Sequence, residues 1–313
     1  MAVKGTYKPK IPWDQTAFEA LKATWTPQRI AEDEKTLQEI FALAADVPLL
    51  AEALEWAEQH GVKFFIDRTA TGIEGYYKPG TGVVAITAAG LANPGEAVES
   101  IVHEIRHAWQ QYNGFGAEAA HGFSEYLITV SLKEADAEAF ARRAKDQYKF
   151  YELTKNHKKV PDSLRAGLAK ENADLGANFQ VWFPLFAGRY GDRGSKAYNQ
   201  ALGLFPPEAR LNTGLSGGHF EFDPARVKFT GENININNVQ DVVRMGRFFS
   251  GAKNYLAALQ PDILPKKILR PSLANTFWGA ASSDQRKLTN DIRKAELKKK
   301  LTPENKRKHH PWP

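Results

Sequence analysis

The chain contains no cysteine, and this absence limits the kinds of site that its 313 residues can build. Without thiols there can be no disulfide bonds and no thiolate metal ligands, so a metal ion would have to be held by His, Asp or Glu. The absence also fits a reducing compartment, in which disulfides rarely persist. We therefore expect a cytoplasmic protein whose sites use nitrogen and oxygen ligands.

Long apolar segments are missing as well. No run of about 18 consecutive apolar residues occurs, which predicts that the chain has no membrane-spanning helix. The opening segment, MAVKGTYKPKIPWDQTAFEAL, lacks the apolar stretch of a secretory signal peptide. Both features favour a soluble protein, and export as an effector by another route stays an open alternative.

Positive charge is concentrated at the C-terminal end. The whole chain has a formal net charge of +6, whereas residues 264–313 hold 13 Lys+Arg against four Asp+Glu, a net of +9. The remaining residues therefore carry a net charge of −3. This pattern predicts a basic, partly disordered tail. A solvated arm is favoured over a nucleic-acid contact, because no recognisable nucleic-acid module accompanies the charge.

The order of helical and strand-like segments predicts an α+β fold. Residues 15–60 have helical patterns, with Thr26 as an N-cap before a first-turn proline and Gly61 as a helix stop. Residues 62–68 and 75–87 are rich in aromatic and β-branched side chains and predict strands, the second of which contains a hairpin turn at Pro79-Gly80-Thr81-Gly82. Asn93 is the predicted N-cap of the helix that follows.

Four regions follow from this pattern. They are predicted to be N-terminal helices at 1–60, a core at 61–150, a mainly helical and loop-rich region at 151–263 that completes the domain, and the basic tail at 264–313.

Residues 98–114, VESIVHEIRHAWQQYNG, contain the spacing HExxH at His103, Glu104 and His107. Apolar residues recur here at gaps of three and one, which is typical of a helix with one buried stripe. A separation of four places both imidazoles on one helical face, where they can point to a common metal ion. Glu104 lies about 100° further round the helix, so it can reach a metal-bound water without binding the metal. HExxH also arises by chance, so a metal site needs a third ligand.

Two nearby sources of a third ligand are less satisfactory. The extended pattern HExxHxxGxxH requires Gly and His where this chain has Gln110 and Asn113. Glu118 and His121 lie close in sequence, in a predicted loop, but nothing in their spacing selects either of them.

The segment SLKEADAEAFARRA, residues 131–144, offers a better candidate. Glu134 and Glu138 are four residues apart on a predicted helix, among small alanines that permit close approach of a second helix. A carboxylate from this helix can complete a three-ligand site and leave a fourth position for water. Glu134 is the preferred ligand, and Glu138 could accept the second ring N–H of a histidine ligand.

Together, VESIVHEIRHAWQ and EADAEAFA resemble the gluzincin metallopeptidases, which use two histidines and a glutamate from a later helix. The resemblance is closer to the minimal bacterial branch that includes IrrE-like and ImmA-like proteins, where the second motif is E-x-x-A-(N/D)-x-F-A. The chain also resembles an uncharacterised bacterial family of metallopeptidases. The likeness covers about residues 60–145 and departs from the motif at Glu138, where Asn or Asp is usual.

This resemblance implies a minimal zincin-like catalytic core with one Zn²⁺ per chain, held by His103, His107 and Glu134. It implies hydrolysis of a peptide bond in a peptide or protein substrate, through a zinc-bound water that Glu104 activates. In such folds an edge strand beside the zinc pairs with an extended substrate, and the segment GVVAIT, residues 82–87, is predicted to be that strand.

Alternative functions remain open at this stage. The fold could serve a non-catalytic regulator or binding protein whose basic tail contacts nucleic acid or a protein partner, or a zinc hydrolase that acts on a non-peptide bond. A peptidase also needs a donor that stabilises the oxyanion. The candidates, none of them preferred, are Tyr112, His121, Arg189, Tyr190 and His219.

Overall fold

The computed structural model describes residues 25–78, 82–115, 123–191, 239–251 and 253–258. The elements within these ranges are numbered in chain order. The helices are α1 (Pro27–Phe41), α2 (Pro48–Gln59), α3 (Pro94–Tyr112), α4 (Phe123–Lys155), α5 (Asp162–Ala169), α6 (Glu171–Gly191), α7 (Val239–Met245) and α8 (Tyr255–Ala258), with a 3-10 turn at Ala42–Ala45. The strands are β1 (Lys63–Asp67), β2 (Gly75–Lys78) and β3 (Val83–Thr87). The predicted α+β class is confirmed.

The ends of the helices follow from their local sequence. The Thr26 side chain accepts a hydrogen bond from the Arg29 N–H at 3.2 Å, so it caps α1 as predicted. Asn93 caps α3 in the same way, accepting from the Glu96 N–H at 3.0 Å. Gly61 follows the end of α2 with a φ of +70°, a left-handed conformation that favours glycine.

The three strands form a mixed sheet in the order β1-β3-β2. β2 is antiparallel to β3, as the predicted hairpin requires, while β1 is parallel to β3. The prediction that the GVVAIT segment lies at the edge of the sheet is wrong, because β1 and β2 occupy both sides of β3. All five residues of β3 are buried, which is typical of an inner strand covered on both faces. Of the described strands, β2 is the edge strand next to α3.

The predicted apolar stripe of α3 forms the centre of the hydrophobic core. Six of its seven predicted residues are at most 3% exposed, whereas Tyr112 at the end of the helix is half-buried. The six are Val98, Ile101, Val102, Ile105, Ala108 and Trp109. α4 lies against both α3 and α6. Ala135, Ala137 and Ala139 are fully buried, so the small side chains do permit the close contact that the sequence predicted.

Residues from the second half of the chain contribute to the same core. Leu175 and Phe179 of α6 are buried in it, as are Phe248, Tyr255 and Leu256. The boundaries of the four predicted regions stay predictions, and the basic tail at 264–313 lies outside the described residues. No helix in the described part of the chain is both long and apolar enough to cross a membrane.

Candidate metal centre

Three side chains from α3 and α4 meet at one point. His103 Nε2 lies 3.0 Å from His107 Nε2, and Glu134 Oε2 lies 3.5 Å from the first of these atoms and 3.6 Å from the second. The two histidines share a face of α3 because they are one helical turn apart, and α4 brings the glutamate to that face. The structure therefore brings together the three residues that the sequence singled out as ligands.

This triangle has the dimensions of a metal site. A point equidistant from the three atoms lies about 2 Å from each of them, close to the Zn–N and Zn–O lengths of about 2.0–2.2 Å. The three side chains keep between 14% and 23% of their surface exposed, so solvent reaches the site. Two imidazoles and one carboxylate, with no thiolate, form a donor set that suits a divalent cation such as zinc.

Glu138 lies one turn beyond Glu134 and contacts the other nitrogen of His103. Its Oε2 is 3.4 Å from His103 Nδ1, the position predicted for an acceptor of the second ring N–H. Arg142 holds the other oxygen, since its Nε lies 2.8 Å from Glu138 Oε1 and 2.9 Å from the buried Glu99. Glu138 is thus anchored, although a glutamate is unusual at this position of the motif that the sequence resembles.

His107 is supported by residues that the sequence did not indicate. Its Nδ1 lies 2.9 Å from Oε1 of Gln110, the residue that breaks the extended zinc motif. Gln110 Nε2 donates to Asp136 at 2.7 Å and to the Lys133 carbonyl at 2.8 Å. The spacing of three between His107 and Gln110 was the available signal, because such pairs share a helical face.

Glu104 is buried beside the triangle without being one of its corners. It is 7% exposed and accepts a hydrogen bond from the Tyr77 N–H of β2. A Cβ atom at Gly75 would come within 3.1 Å of Glu104 Cγ, so the absence of a side chain there leaves room for the carboxylate. Burial raises the pKa of Glu104, and the neighbouring His103 and His107 oppose that shift.

The ionisable groups of the centre stabilise one another. Burial by itself would lower the pKa of His103, but hydrogen bonds to Glu134 and Glu138 raise it well above its ordinary value. Burial would likewise raise the pKa of Glu134, yet the charge of His107 and a hydrogen bond to His103 hold it well below its ordinary value. The carboxylates therefore favour positive charge at this point, which a bound cation would also supply.

Of the candidate oxyanion donors, the structure describes the side chains of only Tyr112 and Arg189. The Tyr112 ring packs against His60 and Trp56, at centroid distances of 4.4 and 5.8 Å, and burial raises its pKa. Arg189 is exposed in the last turn of α6. Only the backbone of Tyr190 is described, and His121 and His219 fall outside the described residues, as does Glu118.

A fully buried ion pair lies behind the histidines. The Arg106 guanidinium is sandwiched between the rings of Trp109 and Phe140, 3.8 and 3.9 Å from their centroids. It donates to both oxygens of Asp136, at 2.7 and 3.2 Å, and to the Met245 carbonyl at 2.6 Å. Arg106 and Asp136 are both 0% exposed, so neither charge has water as an alternative partner.

Replacing this arginine should destabilise the fold strongly. Arg106→Met would leave Asp136 as a buried carboxylate without its counterion, and breaking a buried pair in this way typically costs about 3–5 kcal/mol. The measurement is the free energy of unfolding from denaturant titration. Arg68→Met is the control, because the Arg68 side chain is about half exposed and its buried partner Asp33 keeps its contact with Arg29, so the loss should matter much less. Equal losses in the two variants would contradict the structural role given to Arg106.

Comparison with protein families finds a match that covers the centre. The model of a family described as "Putative metallopeptidase family" matches residues 14–165, just under half of the chain. Comparisons with curated proteins and with solved structures find no match. The matched segment contains His103, Glu104, His107 and Glu134 and ends before α6, α7 and α8. Over this segment, the chain is similar to a family of metal-dependent peptidases described as putative.

Proposed function

We propose that the chain is a zinc-dependent peptidase whose ion is held by His103, His107 and Glu134. The observation that carries the proposal is the triangle of Nε2, Nε2 and Oε2 atoms, since its edges of 3.0–3.6 Å suit a single tetrahedral ion. Glu134 lies 27 residues beyond His107 on another helix, so the convergence is not a consequence of helical spacing alone. The similarity to a metallopeptidase family supports the same activity.

The mechanism assigns the proton transfer to Glu104. When bound, zinc would act as a Lewis acid towards water and the scissile carbonyl. The Glu104 carboxylate accepts a proton from the attacking water and returns it to the leaving amine as a general acid. The Tyr77 N–H holds this carboxylate beside the triangle, and His103 and His107 attract it electrostatically. Glu138 orients the His103 ring through Nδ1.

A peptide in extended conformation fits the surroundings of Glu104. β2 is one of the two edge strands of the described sheet, and its Gly75 and Tyr77 both lie against that carboxylate. A substrate that paired with β2 would therefore run past the general base, with main-chain hydrogen bonds that do not depend on its sequence. We propose β2, in place of β3, as the strand that aligns the substrate.

Removal of the metal tests this function. Dialysis of the protein against a strong chelator is expected to abolish cleavage of a mixed peptide library, and one equivalent of Zn²⁺ per chain is expected to restore it. Peptide products are identified by mass spectrometry, and chelator that has been saturated with zinc beforehand is the control. Cleavage that persists in the metal-free protein would contradict the proposal.

A further inference from the structure

We propose that Gln110 is a positioning residue that fixes the tautomer of His107, so that Nε2 presents its lone pair to the metal. This inference rests on the proposed function. Gln110 touches neither the centre of the triangle nor the position given to Glu104, so it would act only through the His107 ring. Its role follows from the hydrogen-bonding capacity of the groups around its amide.

The orientation of the Gln110 amide is set by two groups that can accept hydrogen bonds but cannot donate them. Nε2 lies 2.7 Å from Asp136 Oδ2 and 2.8 Å from the Lys133 carbonyl oxygen. Neither the carbonyl nor the ionised carboxylate has a hydrogen to donate, so both require the NH₂ end of the amide. Oε1 must then face His107 Nδ1 at 2.9 Å, and that contact requires a hydrogen on Nδ1.

The contact between the two imidazoles agrees with this assignment. His103 Nε2 and His107 Nε2 are 3.0 Å apart. At this distance, at most one of the two nitrogens can carry a hydrogen that points at the other. A hydrogen on His107 Nδ1 makes its Nε2 the acceptor of the pair. The lone pair of a neutral His107 is then aimed into the triangle, as metal binding requires.

Asp136 makes the arrangement rigid and connects it to a distant part of the chain. Besides Gln110, its carboxylate accepts from Arg106 and from the Tyr255 hydroxyl at 2.8 Å. Arg106 also donates to the Met245 carbonyl, which lies 139 positions away in sequence. The segment that ends α7 and begins α8 therefore closes the network behind His107, although it lies outside the residues that match the family model.

The tautomer can be read directly in the metal-free protein. In protein labelled with ¹⁵N-histidine, at a pH where the His107 ring carries one proton, we expect the nitrogen shifts of the Nδ1–H form. Gln110→Met keeps the side-chain volume but removes the acceptor, so the His107 signals should move towards the Nε2–H form. Asp136 keeps its bonds from Arg106 and Tyr255 in this variant, so the fold should survive. A wild-type His107 in the Nε2–H form, or signals unchanged by Gln110→Met, would overturn the inference.

Zinc affinity provides the second readout. Gln110→Met should weaken Zn²⁺ binding, measured by competition with a chromophoric chelator, by about 10–100-fold, the usual effect of removing the partner of a histidine ligand. Gln147→Met is the matched control, because the Gln147 side chain accepts from the Leu49 N–H at the start of α2 and has no contact with either histidine in the described structure. This control should bind zinc like the wild type.

The outcomes separate the inference from the proposed function. If wild-type protein binds no zinc, the proposed function fails. If the wild type binds zinc and Gln110→Met binds it equally tightly, only the positioning role of Gln110 is overturned. A weakening of similar size in Gln147→Met would overturn it as well, since the effect would then come from general destabilisation.

Discussion

Glu104→Gln is expected to abolish peptide cleavage while the protein keeps about one zinc ion per chain. The amide has nearly the same size as the carboxylate but cannot accept the proton of the attacking water. Loss of a general base typically costs about 10²–10⁴-fold in rate. Zinc should stay bound because the three proposed ligands are unchanged and Glu104 is not a corner of the triangle. Metal analysis and peptide cleavage are measured on the same preparation.

Glu96→Gln is the matched control for this variant. Glu96 lies in the first turn of the same helix and pairs with Lys145 at 2.8 Å, so its replacement should leave both zinc content and cleavage near wild type. A zinc-loaded Glu104→Gln protein that cleaves at the wild-type rate would refute the mechanism. Loss of zinc from that variant would show that Glu104 supports the metal.

Glu134→Ala should lose most of the bound zinc. The change removes the one carboxylate oxygen of the triangle and leaves two imidazoles, which are too few for a stable zinc site. Glu138→Ala should bind zinc more weakly than the wild type, by about 10–100-fold, and still fill at excess metal, because Glu138 contacts only the second nitrogen of His103. Both affinities are measured by competition with a chelator. Tight binding by Glu134→Ala, together with loss of zinc from Glu138→Ala, would reverse the assignment.

The features that sequence could predict are local ones. The N-caps at Thr26 and Asn93, the buried stripe of α3 and the shared face of His103 and His107 depend on residues at most a few positions apart. Helical geometry converts such spacings directly into structure. Pairing Glu134 with the histidines was possible because its helix follows α3 closely and carries alanines where the two helices meet.

The features that sequence could not predict depend on distant contacts. The parallel pairing of β1 with β3 moves GVVAIT into the centre of the sheet, and nothing within that segment distinguishes an inner strand from an edge strand. The support of His107 involves Gln110, Asp136 and Tyr255, which span 145 positions of the chain. Each of these residue types is common, so only the fold reveals that they form one hydrogen-bonded network.

The most direct test of the proposed zinc site is an anomalous difference map at the zinc absorption edge, measured on crystals of the purified protein. A single strong peak is expected about 2 Å from His103 Nε2, His107 Nε2 and Glu134 Oε2. Data collected just below the edge serve as the control, since a zinc peak should largely vanish there. A map from zinc-supplemented crystals with no peak at this triangle, or with its peak at the acidic side chains of Glu96 and Glu99, would contradict the proposed metal centre.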